Sequence, residues 1–280
     1  MPNSLDVTIP AHRLGVCSWS LQPKSTAELL GTLQELELPL VQLALDPVLE
    51  QPEAFGDAID AIRDAGMRVA SGMLEAVGED YSTLETIRRT GGVRSDEHWP
   101  ATRDRAAKVA ALAAEAEIPL VTMHAGFIPH DASDPDRRIV LDRLREVADL
   151  FAVRGVQLGL ETGQETAETL LDALDALDHP GVGVNFDPAN MILYGMGDPV
   201  EALRRLAPRV VQIHAKDANT TATPGTWGDE VPLGTGEVDW SSFLPEVRAL
   251  VPPVDVIIER EAGDTRSEDV ASARRLLRGD

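Results

Sequence analysis

The stretch that decides the fold is Val210-Val211-Gln212-Ile213-His214-Ala215-Lys216-Asp217. The short run of β-branched residues at its start predicts a buried strand. Three polar side chains crowd the carboxyl end of that strand, where a buried charge is costly unless it is paired or bound to a metal. A histidine that only caps a loop would be the simpler explanation of His214 alone. The same pattern recurs at other strand ends, and this recurrence favours a shared site.

Strand-like apolar runs alternate with segments of helical apolar spacing along the whole chain. The predicted strands are Leu14–Leu21, Leu40–Leu45, Met67–Met73, Leu120–His124, Val156–Glu161, Val182–Asp187, Val210–His214 and Val254–Glu259. The predicted helices are Thr26–Leu36, Ala54–Ala65, Thr102–Ala116, Asp136–Phe151, Glu165–Leu177, Pro199–Leu206, Trp240–Leu250 and Ser267–Leu277. Such alternation predicts an α/β fold of βαβ units with a parallel sheet. Eight units in 280 residues predict a closed (β/α)8 TIM barrel, and no GxGxxG segment supports a dinucleotide-binding sheet.

Two connections between predicted strands are longer than one βα unit. The first, Glu75–Trp99, follows the third strand and contains a short predicted helix at Ser82–Arg89. The second, Asn219–Val238, follows the seventh strand and includes Pro224-Gly225. A barrel places both on its carboxyl face, where barrel enzymes carry their active sites. Solvated loops without a role would fit the sequence equally well. We expect residues 1–280 to form one barrel domain.

The charge balance of the chain is strongly acidic. Lys plus Arg number 25 against 47 Asp plus Glu, which gives a formal net charge of −22. This balance argues against nucleic acid and anionic membrane surfaces as partners, because both attract cationic proteins. Residues Met1–Pro10 lack the features of a signal peptide, and no apolar stretch is long enough for a membrane span, so we expect a cytoplasmic protein. Cys17 is the only cysteine, and its apolar surroundings predict a small core residue.

Each of the last four predicted strands ends in a side chain that can ligate a metal: Glu161, Asp187, His214 and Glu259. Adjacent strand ends are close together in a barrel, so we expect these side chains to converge at its mouth. Three carboxylates in a partly dry pocket would repel one another strongly, and a divalent cation would relieve that repulsion. Mixed carboxylate and imidazole ligation suits Mn²⁺, with Mg²⁺, Co²⁺ or Zn²⁺ as alternatives. The competing explanation is four unrelated polar residues, each hydrogen-bonded to loop backbone.

Five segments around these strand ends resemble the xylose-isomerase-like TIM-barrel family. They are Glu161-Thr162-Gly163, Asn185-Phe186-Asp187-Pro188-Ala189-Asn190, Ile213-His214-Ala215-Lys216-Asp217, Leu233-Gly234-Thr235-Gly236 and Ile258-Glu259-Arg260-Glu261. The similarity is strong from Gly155 to Glu261, and it is looser at Gly15–Trp19 and at His124-Ala125-Gly126. The family includes sugar phosphate isomerases and epimerases, ketose 3-epimerases, hydroxypyruvate isomerases and inosose dehydratases.

The resemblance implies a divalent-metal-dependent sugar isomerase or epimerase that acts on a ketose or keto-sugar. Glu161, Asp187, His214 and Glu259 would be the metal ligands, and Glu161 and Glu259 would also be the acid/base pair. In such an enzyme the cation stabilises the enediolate that forms when a proton leaves the carbon next to the carbonyl. Return of the proton to the opposite face epimerises that carbon, and its transfer to the neighbouring carbon moves the carbonyl. Relatives of this kind are often homo-oligomers.

Five further side chains are candidates for binding the small-molecule carbohydrate: His124, Asn190, Lys216, Trp19 and Trp227. The two tryptophans could stack on a sugar face, although Trp19 could equally be barrel core and Trp227 a loop anchor. Lys216 could bind a substrate oxyanion or phosphate, or could pair with Asp217 or another acid. His124 could orient the substrate or a ligand, or could be a packed, hydrogen-bonded histidine.

The chain departs from the family pattern at two positions. Asn190 stands where epimerases of the family commonly have a histidine, and it can bind a sugar hydroxyl but cannot exchange protons near neutral pH. Gln42 lies near the end of the second strand, where many relatives carry a glutamate. An inosose-type dehydratase with the same metal site and a non-catalytic carbohydrate-binding barrel therefore stay open as alternatives. A DNA-cleaving relative of the endonuclease IV type would need more histidine ligands and a basic groove.

Overall fold

The structure, a computed structural model, describes residues 7–223 and 225–280. Residues 1–6 of the N-terminal segment and Pro224 of the long second connection therefore lie outside the described residues. In chain order the strands are β1 (Leu14–Cys17), β2 (Leu40–Ala44), β3 (Arg68–Met73), β4 (Leu120–His124), β5 (Gln157–Glu161), β6 (Val182–Phe186), β7 (Val210–Ala215), β8 (Asp217–Asn219), β9 (Asp229–Val231) and β10 (Asp255–Ile258).

Eight of these strands close into a parallel barrel in the order β1-β10-β7-β6-β5-β4-β3-β2. The barrel closes because β1 pairs with β2 on one side and with β10 on the other. The short strands β8 and β9 form a separate antiparallel pair outside the barrel. The predicted (β/α)8 fold is confirmed.

Helices surround the barrel and connect its strands. They are α1 (Thr26–Glu35), α2 (Leu45–Glu50), α3 (Pro52–Phe55), α4 (Ala58–Asp64), α5 (Leu84–Thr90), α6 (Trp99–Glu115), α7 (Pro135–Ala152), α8 (Ala167–Leu177), α9 (Pro188–Tyr194), α10 (Pro199–Leu206), α11 (Trp240–Ala249) and α12 (Arg266–Arg278). Single 3₁₀ turns occupy Ala11–Arg13, Ser18–Leu21 and Ala207–Arg209. Within the described ranges, no helix combines the length and the apolar character that crossing a bilayer requires.

The first predicted strand, Leu14–Leu21, is too long. It ends at Cys17, and the chain turns into the 3₁₀ helix at Ser18–Leu21. There the Ser18 hydroxyl accepts from the backbone N–H of Ala44 at 3.0 Å, and the Ser20 hydroxyl accepts from that of Arg260 at 2.8 Å. At the barrel rim, serine hydroxyls therefore accept backbone hydrogen bonds in place of the carbonyls of a continued strand.

The second predicted helix, Ala54–Ala65, is also wrong as one continuous element. It is divided into α3 and α4 at Gly56-Asp57. Gly56 closes α3 by donating its N–H to the carbonyl of Pro52, and a Cβ at Gly56 would lie 2.5 Å from that oxygen. Glycine favours an interruption here, because it lacks the side chain that would clash.

Side chains fill the barrel interior, as in other parallel barrels. One apolar cluster inside the barrel consists of Cys17, Leu40, Ala70 and Ile257, so Cys17 is the buried core residue that its surroundings predicted. A set of fully buried polar residues adjoins it and consists of Gln42, Ser71, Thr122, Asn185 and Gln212. Its members bond to one another; for example, Ser71 donates to Gln212 at 2.6 Å, and Gln212 donates to Gln42 at 2.9 Å.

The long connection after β7 is organised by the carboxylate of Asp217. This group accepts from the backbone N–H of Gly234 at 2.8 Å, from that of Gly236 at 3.1 Å and from the indole of Trp240 at 2.9 Å. A Cβ at Gly236 would lie 2.3 Å from an Asp217 oxygen, so this close approach requires glycine. The connection is thereby held against the carboxyl end of the barrel, where it carries Trp227 towards the site.

Candidate metal centre

The four predicted metal ligands meet at the carboxyl end of the barrel. Glu161 ends β5, Asp187 follows β6, His214 lies near the end of β7 and Glu259 follows β10. One ligand atom from each lies within 4.8 Å of the others. His214 Nδ1 is 3.5 Å from Glu161 Oε1, 3.8 Å from Asp187 Oδ2 and 3.3 Å from Glu259 Oε2. All four residues are buried. They are called the metal cluster below.

Two atoms of the metal cluster are buried without a hydrogen-bond partner, Asp187 Oδ2 and His214 Nδ1. The other atoms of these side chains are bonded: Asp187 Oδ1 accepts from the N–H of Asn190 at 2.9 Å, and His214 Nε2 donates to Gln42 Oε1 at 2.7 Å. A buried polar atom left unpaired costs about 1–3 kcal/mol. A divalent cation would satisfy both atoms, so the four side chains fit a metal ion.

The charges of the metal cluster also favour a cation. Burial raises the pKa of Asp187 to about 6. Burial would also raise the pKa of Glu259, but Lys216 and His214 outweigh it and hold that pKa well below its usual range. The same carboxylates, with Glu259 first, raise the pKa of His214 against the effect of its burial. The raised pKa of His214 reflects the carboxylates around it, and the same carboxylates would attract a metal cation.

Glu259 is held on both carboxylate oxygens. The Trp19 indole donates to Oε1 at 2.8 Å, and the Lys216 ammonium donates to Oε2 at 3.0 Å. Lys216 is buried and also bonds to Glu261. Lys216 therefore pairs with Glu259 and Glu261 and not with Asp217. The Asp217 carboxylate instead accepts hydrogen bonds from the connection that follows β7. Trp19 is half-buried, and its ring meets that of His214 edge-on, with the centroids 6.4 Å apart.

Glu161 is held in the same way, by two amides. Asn190 Nδ2 donates to Oε1 at 2.9 Å, and Asn185 Nδ2 donates to Oε2 at 3.2 Å. His124 Nε2 lies 3.9 Å from Oε1. Burial would raise the pKa of Glu161, but His124 and His214 together lower it. Asn190, expected to bind a sugar hydroxyl, is thus bonded to a predicted catalytic carboxylate, and His124 faces the same group.

Gln42 contacts the metal cluster from across the barrel, a role that the sequence did not indicate. It is fully buried and accepts from His214 Nε2 through Oε1, while its amide donates to Thr122 Oγ1 at 2.6 Å. A carbonyl that accepts from Nε2–H leaves the lone pair of Nδ1 directed at the cluster. The feature of the sequence that could have revealed this role is a polar side chain within the otherwise apolar predicted strand Leu40–Leu45.

Replacement of Gln42 by leucine should lower Mn²⁺ affinity by about 10–100-fold, the usual loss when the partner of a metal-ligating histidine is removed. The reason is that His214 loses the acceptor that sets its tautomer. Calorimetric titration of the metal-free protein with Mn²⁺ measures the change. Gln42→Glu keeps an acceptor oxygen for His214 and should retain affinity within a few-fold. Equal affinity in Gln42→Leu and the wild type would show that Gln42 does not position His214.

A cavity of about 610 Å³ opens above the metal cluster. All five residues predicted to bind the carbohydrate line it: Trp19, His124, Asn190, Lys216 and Trp227. Tyr81 and Tyr194 also line it and were missed, although Tyr81 belongs to the first long connection. The Tyr194 ring meets the Trp227 ring at a centroid distance of 4.8 Å, and that of Tyr81 meets His124 at 6.2 Å. Aromatic rings with polar tips suit a sugar, which has both apolar faces and hydroxyls.

Glu165, which follows β5, is a buried carboxyl outside the metal cluster. It accepts from the N–H of Ile128 at 2.8 Å, and burial raises its pKa from 4.5 to about 8. The folded protein therefore holds this proton more tightly than the unfolded chain, so ionisation of Glu165 destabilises the fold as the pH rises from about 5 to about 8.

Glu165→Gln removes this pH-dependent penalty and keeps an acceptor for Ile128. Its free energy of unfolding relative to the wild type should rise by about 1.4 kcal/mol per pH unit between about pH 5 and pH 8, and should level off above that. Urea denaturation across this range measures the difference. The matched change at the exposed Glu168, Glu168→Gln, should give a difference that does not depend on pH in this way. A flat difference for Glu165→Gln would contradict the raised pKa.

The chain resembles known proteins over nearly its whole length. The family model described as "Xylose isomerase-like TIM barrel" matches residues 21–279. A solved xylose isomerase domain protein from Planctomyces limnophilus is 31% identical, with 96% of each chain covered and a TM-score of 0.84.

Two curated proteins are similar over part of their length. The 3-oxo-isoapionate decarboxylase of Pectobacterium atrosepticum is 31% identical over 129 residues, which cover 45% of this chain and 46% of that protein. The 3-dehydroshikimate dehydratase of Bacillus anthracis is 30% identical over 134 residues, which cover 42% of this chain and 48% of that protein. The chain thus spans about half the length of the curated relatives that it matches.

Proposed function

The chain belongs to the xylose isomerase-like TIM barrel family, and from that premise we propose that it is a divalent-metal-dependent isomerase or epimerase of a keto-sugar. One observation carries the proposal: Asp187 Oδ2 and His214 Nδ1 are buried, unpartnered and flanked by two carboxylates within 4.8 Å. These donor atoms suit a cation, and the cavity above them has room for a substrate.

Glu161, Asp187, His214 and Glu259 would hold the cation, and Mn²⁺ suits this mixture of carboxylates and imidazole. When bound, the cation supplies Lewis acidity that stabilises negative charge developing on the substrate oxygens. The bond from Gln42 holds the His214 ring with Nδ1 towards the metal cluster, where it would ligate the cation.

Glu161 and Glu259 would carry the proton transfer. One carboxylate takes the proton from the carbon next to the carbonyl, and the electron pair of the broken C–H bond forms a C=C bond while the carbonyl oxygen becomes negative. Protonation of the resulting enediolate on the opposite face of the same carbon epimerises that carbon. Protonation of the former carbonyl carbon instead moves the carbonyl, provided that the hydroxyl proton of the first carbon passes to the former carbonyl oxygen. Lys216 keeps Glu259 ionised, so this group enters the reaction able to accept a proton.

The remaining lining residues would orient the substrate. Trp19 and Trp227 offer ring faces, and His124 lies where it could donate to a substrate oxygen beside Glu161. Asn190 and Lys216 already bond to the two glutamates, so they would hold the acid/base pair in place as well as contact the sugar.

A dehydratase is the second candidate, supported by the 30% identity to the 3-dehydroshikimate dehydratase over part of the chain. Proton removal would be the same, but a hydroxyl on the next carbon would leave with a proton as water. A product lighter than the substrate by the mass of one water distinguishes this reaction, because isomerisation and epimerisation leave the mass unchanged.

Solvent deuterium uptake, measured by mass spectrometry, tests the proposal on a panel of ketoses, inososes and keto-glycosides, with Mn²⁺ added and with chelator. We expect exchange at a carbon next to the carbonyl only when the metal is present. Bound metal without exchange on any substrate would favour the non-catalytic carbohydrate-binding barrel instead.

A further inference from the structure

We propose that the substrate is an uncharged glycoside, with a keto-sugar ring at the metal cluster and a second group in an adjoining groove beside Trp19. The inference rests on the proposed function and names the substrate class of the same site. Three features carry it: the size of the cavity, an uncharged groove continuous with it, and the charges on the cavity wall.

The cavity is larger than one sugar ring needs. A hexose has roughly twelve non-hydrogen atoms, and at the ~30 Å³ that a water molecule occupies in the liquid these fill at most about 360 Å³. The cavity measures about 610 Å³. A monosaccharide would therefore leave space for several further groups, whereas ligand sites usually enclose most of the surface of their ligand.

A groove of about 280 Å³ continues from this cavity. Trp19, Ala44 and Pro47 line both spaces, so the groove adjoins the cavity at Trp19. Its other walls include Leu43 and Phe55, and none of its lining residues carries a charge. Apolar walls beside the half-buried Trp19 indole suit a ring that stacks, such as an aromatic aglycone or the apolar face of a second sugar.

The polar groups of the groove lie at its rim. The side chains of Gln22 and Gln51 belong to exposed residues that line the groove, and amides can exchange hydrogen bonds with hydroxyl groups in both directions. The groove therefore offers apolar contact inside and neutral hydrogen-bonding groups at its edge.

The cavity wall opposes an anionic substrate. Five carboxyl groups line it: Asp46, Glu75, Glu79, Glu230 and Glu261. Among the lining residues that the structure describes, Lys216 is the one lysine or arginine, and it is already bonded to Glu259 and Glu261. Arg105 and Arg260 pair with Asp46 and Glu230 from behind the wall, but Glu75 and Glu79 would still face a phosphate or carboxylate on the substrate as like charges.

The chemistry of a glycoside places a further condition on the substrate. Its anomeric carbon is engaged in the glycosidic bond, so the carbonyl that acidifies the neighbouring C–H must be a ring ketone. The class of reaction that supplies such a substrate is the oxidation of one ring hydroxyl of a glycoside.

Binding of unreactive probes tests the groove without depending on catalysis. Calorimetric titration of the Mn²⁺-loaded protein would compare glucose, methyl β-glucoside, phenyl β-glucoside, cellobiose and glucose 6-phosphate. We expect phenyl β-glucoside or cellobiose to bind at least tenfold more tightly than glucose and methyl β-glucoside. A preference for the phenyl compound assigns an aromatic aglycone to the groove, and one for cellobiose assigns a second sugar. Equal affinities for all neutral probes, or tightest binding of the phosphate, would overturn the inference.

A pair of matched variants locates that preference in the groove. Gln51→Trp places a bulky side chain at the exposed rim and should abolish the tenfold preference. Glu53→Trp adds the same side chain at an exposed position that does not line the groove, and it should keep the preference. Retention of the preference in Gln51→Trp would overturn the assignment.

Deuterium exchange separates failure of this inference from failure of the proposed function. Exchange with free ketoses, together with equal binding of all neutral probes, would overturn the glycoside alone. A groove-dependent preference for glycosides without exchange in any ring-ketone substrate would overturn the isomerase or epimerase and leave the binding site standing.

Discussion

Glu259→Gln should lower metal-dependent deuterium exchange by about 10²–10⁴-fold, the usual contribution of one positioned acid or base. The amide has nearly the same shape as the carboxylate, and its oxygen can still accept from Trp19 or Lys216. It cannot accept the substrate proton, however, and it removes one negative charge from the metal cluster. The exchange rate at saturating Mn²⁺ separates the loss of the base from weaker metal binding.

Two comparisons make this result specific. Glu161→Gln should cause a loss of similar size, because the second carboxylate returns the proton. Glu268→Gln changes an exposed glutamate on α12 and should leave exchange within a few-fold of the wild type. Wild-type exchange in either cluster variant would overturn its role as acid or base.

His214→Ala should weaken Mn²⁺ binding by more than about 100-fold, since even loss of a histidine's supporting partner costs 10–100-fold. The change removes the single nitrogen ligand of the metal cluster and leaves the buried Gln42 carbonyl without its imidazole donor. Elemental analysis after dialysis and competition with a metal indicator measure the loss.

The exposed His130 provides the matched control, because His130→Ala removes an imidazole that has no predicted role as a metal ligand. That variant should bind Mn²⁺ like the wild type. Equal metal content in His214→Ala and His130→Ala would contradict ligation by His214.

The barrel and the convergence of its strand ends were predictable because both depend on local periodicity. Strand-helix alternation determines a parallel barrel, and a parallel barrel brings the ends of successive strands to one face. The sequence alone therefore groups four residues as ligands: Glu161, Asp187, His214 and Glu259. The excess length of the first strand arose because Ser18–Leu21 is apolar enough to extend the pattern, whereas its serines bond the barrel rim.

The contacts that tune the site were not predictable, because they join strands across the barrel. Gln42 and His214 are 172 residues apart and lie on non-adjacent strands. The pairing of Lys216 with Glu261 likewise depends on how two loops pack. The bond from Asn190 to Glu161 arises because Asp187 caps α9 and Asn190 lies in its first turn, and that helix was absent from the predicted elements.

Crystals grown with Mn²⁺ would locate the ion at the metal cluster through anomalous scattering at the manganese edge. We expect one strong peak about 2.0–2.3 Å from Asp187 Oδ2, His214 Nδ1 and one oxygen each of Glu161 and Glu259. A fully loaded crystal with no peak there, or with its strongest peak elsewhere, would contradict this expectation.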